Sequence, residues 1–158
     1  HQPRRQRQMC IRDSPEREVA TQWILENSEY DRSQVDCAID LSNNRILLAK
    51  DYLDSDILTE HSKFTKLLSA ALTRQISFIE AAEEIKKIDC ISCLDWFLGY
   101  VHKLIIDNPD HNNSPSLHEC VDQIYVFKKN ILMGHSVNLQ LCWENLLMRW
   151  IKQGIRVK

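Results

Sequence analysis

The stretch NLQLCWENLLMRWIK, Asn138 to Lys152, decides the fold. Its apolar residues Leu139, Cys142, Trp143, Leu146, Leu147, Trp150 and Ile151 recur at i, i+3, i+4 and i+7, the spacing of an amphipathic helix with one wide buried face. At about 100° per residue, Leu141 and Met148 fall nearly opposite that face, so a second apolar strip runs up the back of the same helix. One face seats the helix in its own bundle, and the other predicts a partner.

The chain around this helix is built to match it. At 158 residues and 44% hydrophobic it can bury a real core, and its length alone suits one domain. Only three Gly and four Pro occur, and no stretch sustains period-two alternation closed by a hairpin dipeptide, so the sequence predicts an all-α protein. The 20 basic and 22 acidic residues are spread along the chain for a net charge of −2, which argues against a dedicated polyanion-binding domain. No apolar run approaches the roughly 20 residues that span a bilayer, and no secretory leader is legible at the start. Six Cys without such a leader fit a reducing cytosol in which Cys serves as a small hydrophobe, so a cytoplasmic protein without disulfides is expected.

Residues 1–14, HQPRRQRQMCIRDS, carry Arg4, Arg5, Arg7 and Arg12 and no apolar periodicity, the pattern of a disordered basic arm. Within it, Gln8 to Ser14 looks like the translation of a transposase-end sequencing adapter, so this segment is set aside from the fold and the native frame is expected to continue upstream of Pro15. From Pro15 the pattern changes. Pro15 at a first helical position, with Glu16 and Glu18 in the first turn, opens a helix to about Asn27 whose face is Val19, Ala20, Trp23 and Ile24. Ser33 with Asp36 forms a capping arrangement for a second helix burying Val35, Ala38 and Ile39. Asn43-Asn44 breaks the chain, and Arg45 to Leu53 gives a third helix with Ile46, Leu47, Ala49 and Leu53.

Beyond Asp54 the helices lengthen. The faces are Ile57, Phe64, Leu68 and Ala71 between Ser55 and Leu72; Phe78, Ala81, Ala82 and Ile85 between Ser77 and Lys87; and Ile91, Leu94, Leu98, Val101 and Ile105 between Cys90 and Asp107. A polar loop from Asp107 to Ser114 separates these from a helix opened by Pro115, with face Leu117, Val121, Ile124, Ile131 and Leu132, closed by Gly134. Five antiparallel helices with short connections predict one bundle over residues 55–158.

Two segments carry a family resemblance. Asn138, Leu141, Glu144, Leu146, Leu147, Arg149 and Trp150 resemble the last helix of the delta-prime subunit of the bacterial DNA polymerase III clamp loader. The segment LSNNRILLAKDYL, Leu41 to Leu53, resembles the AAA+ lid of clamp-loader subunits, with Asn43 and Asn44 where that family usually has Gly. The resemblance implies a partial lid over residues 15–54 and a collar domain over residues 55–158. It also implies a subunit-interface role for Leu141, Met148, Asn138, Glu144 and Arg149. Arg45 falls where active subunits carry a nucleotide-sensing arginine, but by itself it reads first as a solvated arginine at a helix start, since most surface charges do nothing specific.

Residues that carry chemistry are sparse. Cys90-Ile91-Ser92-Cys93 has the spacing of half a zinc site or of a redox pair, yet His111, His118 and Cys120 supply no second tight pair and no strand adjoins it. The cysteines therefore read as helix-start and core residues, and the zinc cluster of the delta-prime family belongs to its first domain rather than to this pair. No phosphate-cradling G-x-x-x-x-G-K-[ST] occurs, and the scattered His residues converge with no nucleophile, so no catalytic residue, metal or cofactor is expected. Trp96 and Tyr100 lie on a different face from Leu94 and Leu98, where packing or a subunit contact accounts for them better than base stacking.

The resemblance then implies a rigid, non-hydrolysing subunit of the polymerase III assembly, a DNA-directed DNA polymerase (nucleotidyltransferase). Its partners would be the gamma or tau and delta subunits directly, and the sliding clamp and primed DNA through the whole complex, with no membrane. The alternatives are a small metal or redox protein built on Cys90 and Cys93, and a nucleic-acid binder using the basic arm.

Overall fold

The computed structural model describes residues 15–107 and 114–152, and the readings of residues 1–14 and of the loop at 108–113, His111 included, lie outside them. The described residues form eight α-helices and no strand. They divide into two compact units between Leu58 and Thr59, within the first turn of the fourth helix, where the sequence places the boundary after Asp54.

The first unit holds α1 (Arg17–Glu26), α2 (Arg32–Leu41) and α3 (Ile46–Leu53). Its core is narrow: Ala20, Ala38 and Ala49, one from each helix, are fully buried beside Ile24, Val35, Ile39 and Leu53. Small side chains let three helix backbones approach closely, which leaves no space for an indole. The expected α1 face is corrected accordingly, because Val19 and Trp23 are 57% and 41% exposed and the buried residues are Ala20, Thr21 and Ile24. Thr21 is tolerated there because its hydroxyl donates to Asp36 Oδ1 at 3.4 Å. Leu47, also expected inside, is exposed, since Ala49 and Leu53 define the inward face and a residue two before Ala49 points away from it.

The caps move as well. Pro15 precedes the helix, Glu16 is the N-cap of α1, and α2 is capped by Asp31 rather than by Ser33. Asp31 accepts from Ser33 N–H at 3.0 Å while its own N–H donates to Gln34 Oε1 at 3.2 Å. Asp36 is freed for Arg32 and Arg17, each at 3.9 Å. The break after α2 lies where expected: Asn43 and Asn44 take φ of 50° and 65°, and Asn44 N–H returns to Ile39 C=O at 3.0 Å, closing the helix end.

The second unit holds α4 (Ile57–Leu72), α5 (Phe78–Ile85), α6 (Cys90–Asp107), α7 (Ser114–Leu132) and α8 (Leu139–Lys152). α5 packs along α8, α6 along α7, and α7 meets α8. A capping box starts α5, with Glu80 N–H donating to Ser77 Oγ at 3.1 Å and Ser77 N–H to Glu80 Oε2 at 2.9 Å. Gly134, at φ 73°, closes α7, with His135 N–H on Asn130 C=O at 3.1 Å.

The centre of this unit is aromatic. Phe97 sits against Phe64, Trp143 and Trp150 with ring centroids 6.5, 6.4 and 5.2 Å away, and Phe127 meets Trp143 at 5.7 Å. Each buried ring removes a large apolar area from water, worth about 1.5–3 kcal/mol, and edge-to-face contacts add about 0.5–1.5 kcal/mol. Seating Phe97 there turns α6 from its expected face. Cys93, Leu94, Phe97 and Val101 are buried, while Ile91, Leu98 and Ile105 are half-buried at the margin. On α7, Cys120 and Phe127 join Leu117, Val121 and Ile124 inside, and Leu132, expected inside, is 67% exposed at the last turn. Trp96 and Tyr100 pack at the edge of this core, Trp96 on His61 and Phe64 at 5.2 and 5.8 Å and Tyr100 on Trp150 at 5.9 Å.

Candidate interaction face on α7 and α8

α8 begins at its cap. Asn138 Oδ1 accepts from Leu141 N–H at 3.1 Å, which satisfies one of the free donors of the first turn. Along the helix, Trp143, Leu146, Leu147 and Trp150 are buried, Leu139, Cys142 and Ile151 lie half-buried at the edges, and Leu141 on the opposite side is 51% exposed. Met148, two turns on, is half-buried.

Beside this strip, α7 and α8 enclose a groove of about 440 Å³. Its floor is Phe127 and Leu146, one wall carries Val126 and Asn130, and the other carries Cys142 and Asn145. At the Glu119 end, Arg149 Nη1 donates to Glu119 Oε1 at 3.1 Å and ties the two helices together. Both side chains are exposed, so this pair orients the walls more than it stabilises the fold. Glu144 turns to the α5 side, where Gln140 Nε2 donates to it at 2.9 Å and Lys86 Nζ donates to Gln140 Oε1 at 2.6 Å. Of the residues marked by the sequence, Leu141, Met148 and Arg149 thus line or adjoin one outward face, Asn138 caps it, and Glu144 faces α5. Val126 of α7, 59% exposed, and Tyr125, 51% exposed, extend the apolar surface of unit two and carried no signal in the sequence reading.

The described cysteines are all free thiols, and each is buried or half-buried. Burial pushes the Cys93 thiol up to about 12, with Cys90 and nearby carboxylates adding to the rise, and Cys120 is pushed up to about 12 by burial and Glu119. Cys90 is raised chiefly by burial, and the Trp143 indole N–H opposes that rise without reaching hydrogen-bonding geometry. A thiol held protonated in this way is a poor nucleophile and a poor metal ligand. Among the described residues no three His, Cys, Asp or Glu side chains group as a metal ion needs, and no helix is long and apolar enough to cross a membrane. In the first unit, Arg45 is the exposed N-cap residue of α3, and among the described residues its side chain makes no ion pair. A second cavity, of about 360 Å³, lies beside Arg17, Asp40, Asn43 and Asn44, and two of its lining residues, Arg17 and Asp40, pair with each other.

Compared with known protein families, curated proteins and solved structures, the chain finds no match in any of the three.

Proposed function

We propose that this chain is an assembly subunit, the helical C-terminal part of a delta-prime-like clamp-loader protein, with residues 15–54 as a partial AAA+ lid and residues 55–158 as a collar domain. The observation that carries the reading is Leu141, 51% exposed on a helix whose other side holds the fully buried Trp143. Together with Met148 on the same strip and the exposed Val126 of the adjoining groove, Leu141 makes an apolar surface of the kind another subunit covers. The groove between α7 and α8 supports the same reading, because its walls repeat at helical spacing and could seat one more helix. In this proposal the chain hydrolyses nothing: it binds the gamma or tau and delta subunits, and reaches the sliding clamp and primed DNA only through the assembled loader. The buried, protonated Cys93 weighs against the metal or redox alternative. The test is co-purification of the chain with gamma or tau and delta subunits, which should yield a stoichiometric complex; recovery of the chain alone would refute the assignment.

A further inference from the structure

We propose that the outer face of α1 is a docking surface for a basic amphipathic segment of another protein. This inference concerns the first unit and stands independently of the clamp-loader reading. Glu16, Val19, Trp23 and Glu26 recur at intervals of three, four and three residues, so they form a single stripe down α1. The stripe is outside the core: Val19 and Trp23 are 57% and 41% exposed, and α1 packs through Ala20, Thr21 and Ile24 instead. A partly exposed Trp is a residue type on which binding energy concentrates, and Val19 adds apolar area beside it.

Charge identifies the occupant. Residues 15–58 contain ten acidic and four basic side chains, a formal charge of −6. Two of the four cations are committed between α1 and α2, Arg17 to Asp36 and Asp40, and Arg32 to Glu18 and Asp36. Glu16 and Glu26, at the two ends of the stripe, face no cation among the described residues. An apolar centre flanked by uncompensated carboxylates repels nucleic acid and acidic proteins, and attracts a segment that offers apolar side chains between Lys or Arg residues. The carboxylates lie about 15 Å apart along the helix axis, so cations about ten residues apart on a partner helix would meet both at once. Lys or Arg from the same partner would also stack favourably on the Trp23 indole.

The probe is a labelled Leu/Lys amphipathic helix of about 14 residues, added to the full chain while anisotropy and the Trp23 indole N–H resonance are followed. The surface predicts a shift of that resonance, affinity that falls as salt rises, and no binding of the matching Leu/Glu peptide. Glu16→Gln with Glu26→Gln, and separately Trp23→Ser, should each weaken binding at least about tenfold. The Gln pair alters only exposed side chains, so it decides the matter even if Trp23→Ser fails to fold. No binding, undiminished binding by the Gln pair, or shifts confined to α7 and α8 would overturn the proposal. Tighter binding after deletion of residues 1–14 would make the Arg-rich arm of the chain itself the occupant and overturn the assignment to another protein.

Discussion

Phe97 of α6 and Trp150 of α8 meet edge to face, with ring centroids 5.2 Å apart and planes at 74°, and both side chains are buried. This contact ties together two helices that are separated in sequence by all of α7. Trp150 in turn holds the rotation of α8, and with it the outward direction of Leu141.

Phe97→Ala should therefore cost about 3–5 kcal/mol, because the cavity would be lined by Phe64, Trp143 and Trp150, large rings that cannot collapse to fill it. Chemical denaturation of the variant beside the parent measures it. A cost under about 1 kcal/mol would contradict the aromatic core described here.

His61 gives the stability a pH dependence of known sign. Burial against Trp96 lowers its pKa from the ordinary value of 6.5, so the unfolded chain takes up that proton before the folded one does. Stability should fall as the pH drops below about 6.5, and level off once the pH passes beneath the folded-state pKa. Melting His61→Gln across the same range should show a flatter profile in that window. An unchanged profile would place the titration elsewhere.

Thiol chemistry tests the reading of Cys90-x-x-Cys93. With Cys93 and Cys120 both pushed up to about 12, neither should react with a disulfide reagent at pH 8 until the chain is unfolded. Cys93→Ser with Cys90→Ser should leave bound metal at zero. Rapid labelling of Cys93 in the native protein, or unfolding on chelation, would contradict a structural role.

Helix types and several stops were legible because they depend on neighbouring residues, while the caps of α1 and α2 fall on Glu16 and Asp31 rather than where the sequence suggests. Asn43-Asn44 ends α2 with backbone that Asn adopts more readily than most, and Gly134 closes α7 in the same way. Arg74 closes α4 in the same left-handed conformation, at φ 59° with Gln75 N–H on Ala70 C=O at 2.8 Å, and nothing in its residue type announces it. Which apolar residues point inward was less legible. Periodicity finds an apolar sector but not the size of the gap it must fill, so it placed Trp23 in a core made of alanines and left Phe97 out of a core made of rings. The outward strip of Leu141 and Met148 followed from helical angle alone. The groove beside it did not, because Val126 and Phe127 of α7 reach it only through tertiary pairing with α8.

The central claim is that the outer face of α8 is an assembly surface, and one double variant tests it most directly. Leu141→Asp with Met148→Asp places two charges on that face and leaves Trp143, Leu146, Leu147 and Trp150 in the core. The account predicts that this variant melts close to the parent, while Leu146→Ala loses about 2–5 kcal/mol. It also predicts that the double variant no longer co-purifies with gamma or tau and delta subunits, since each carboxylate would lose its hydration without gaining a partner. A folded variant that still assembles would contradict the claim, and so would one that unfolds as badly as Leu146→Ala.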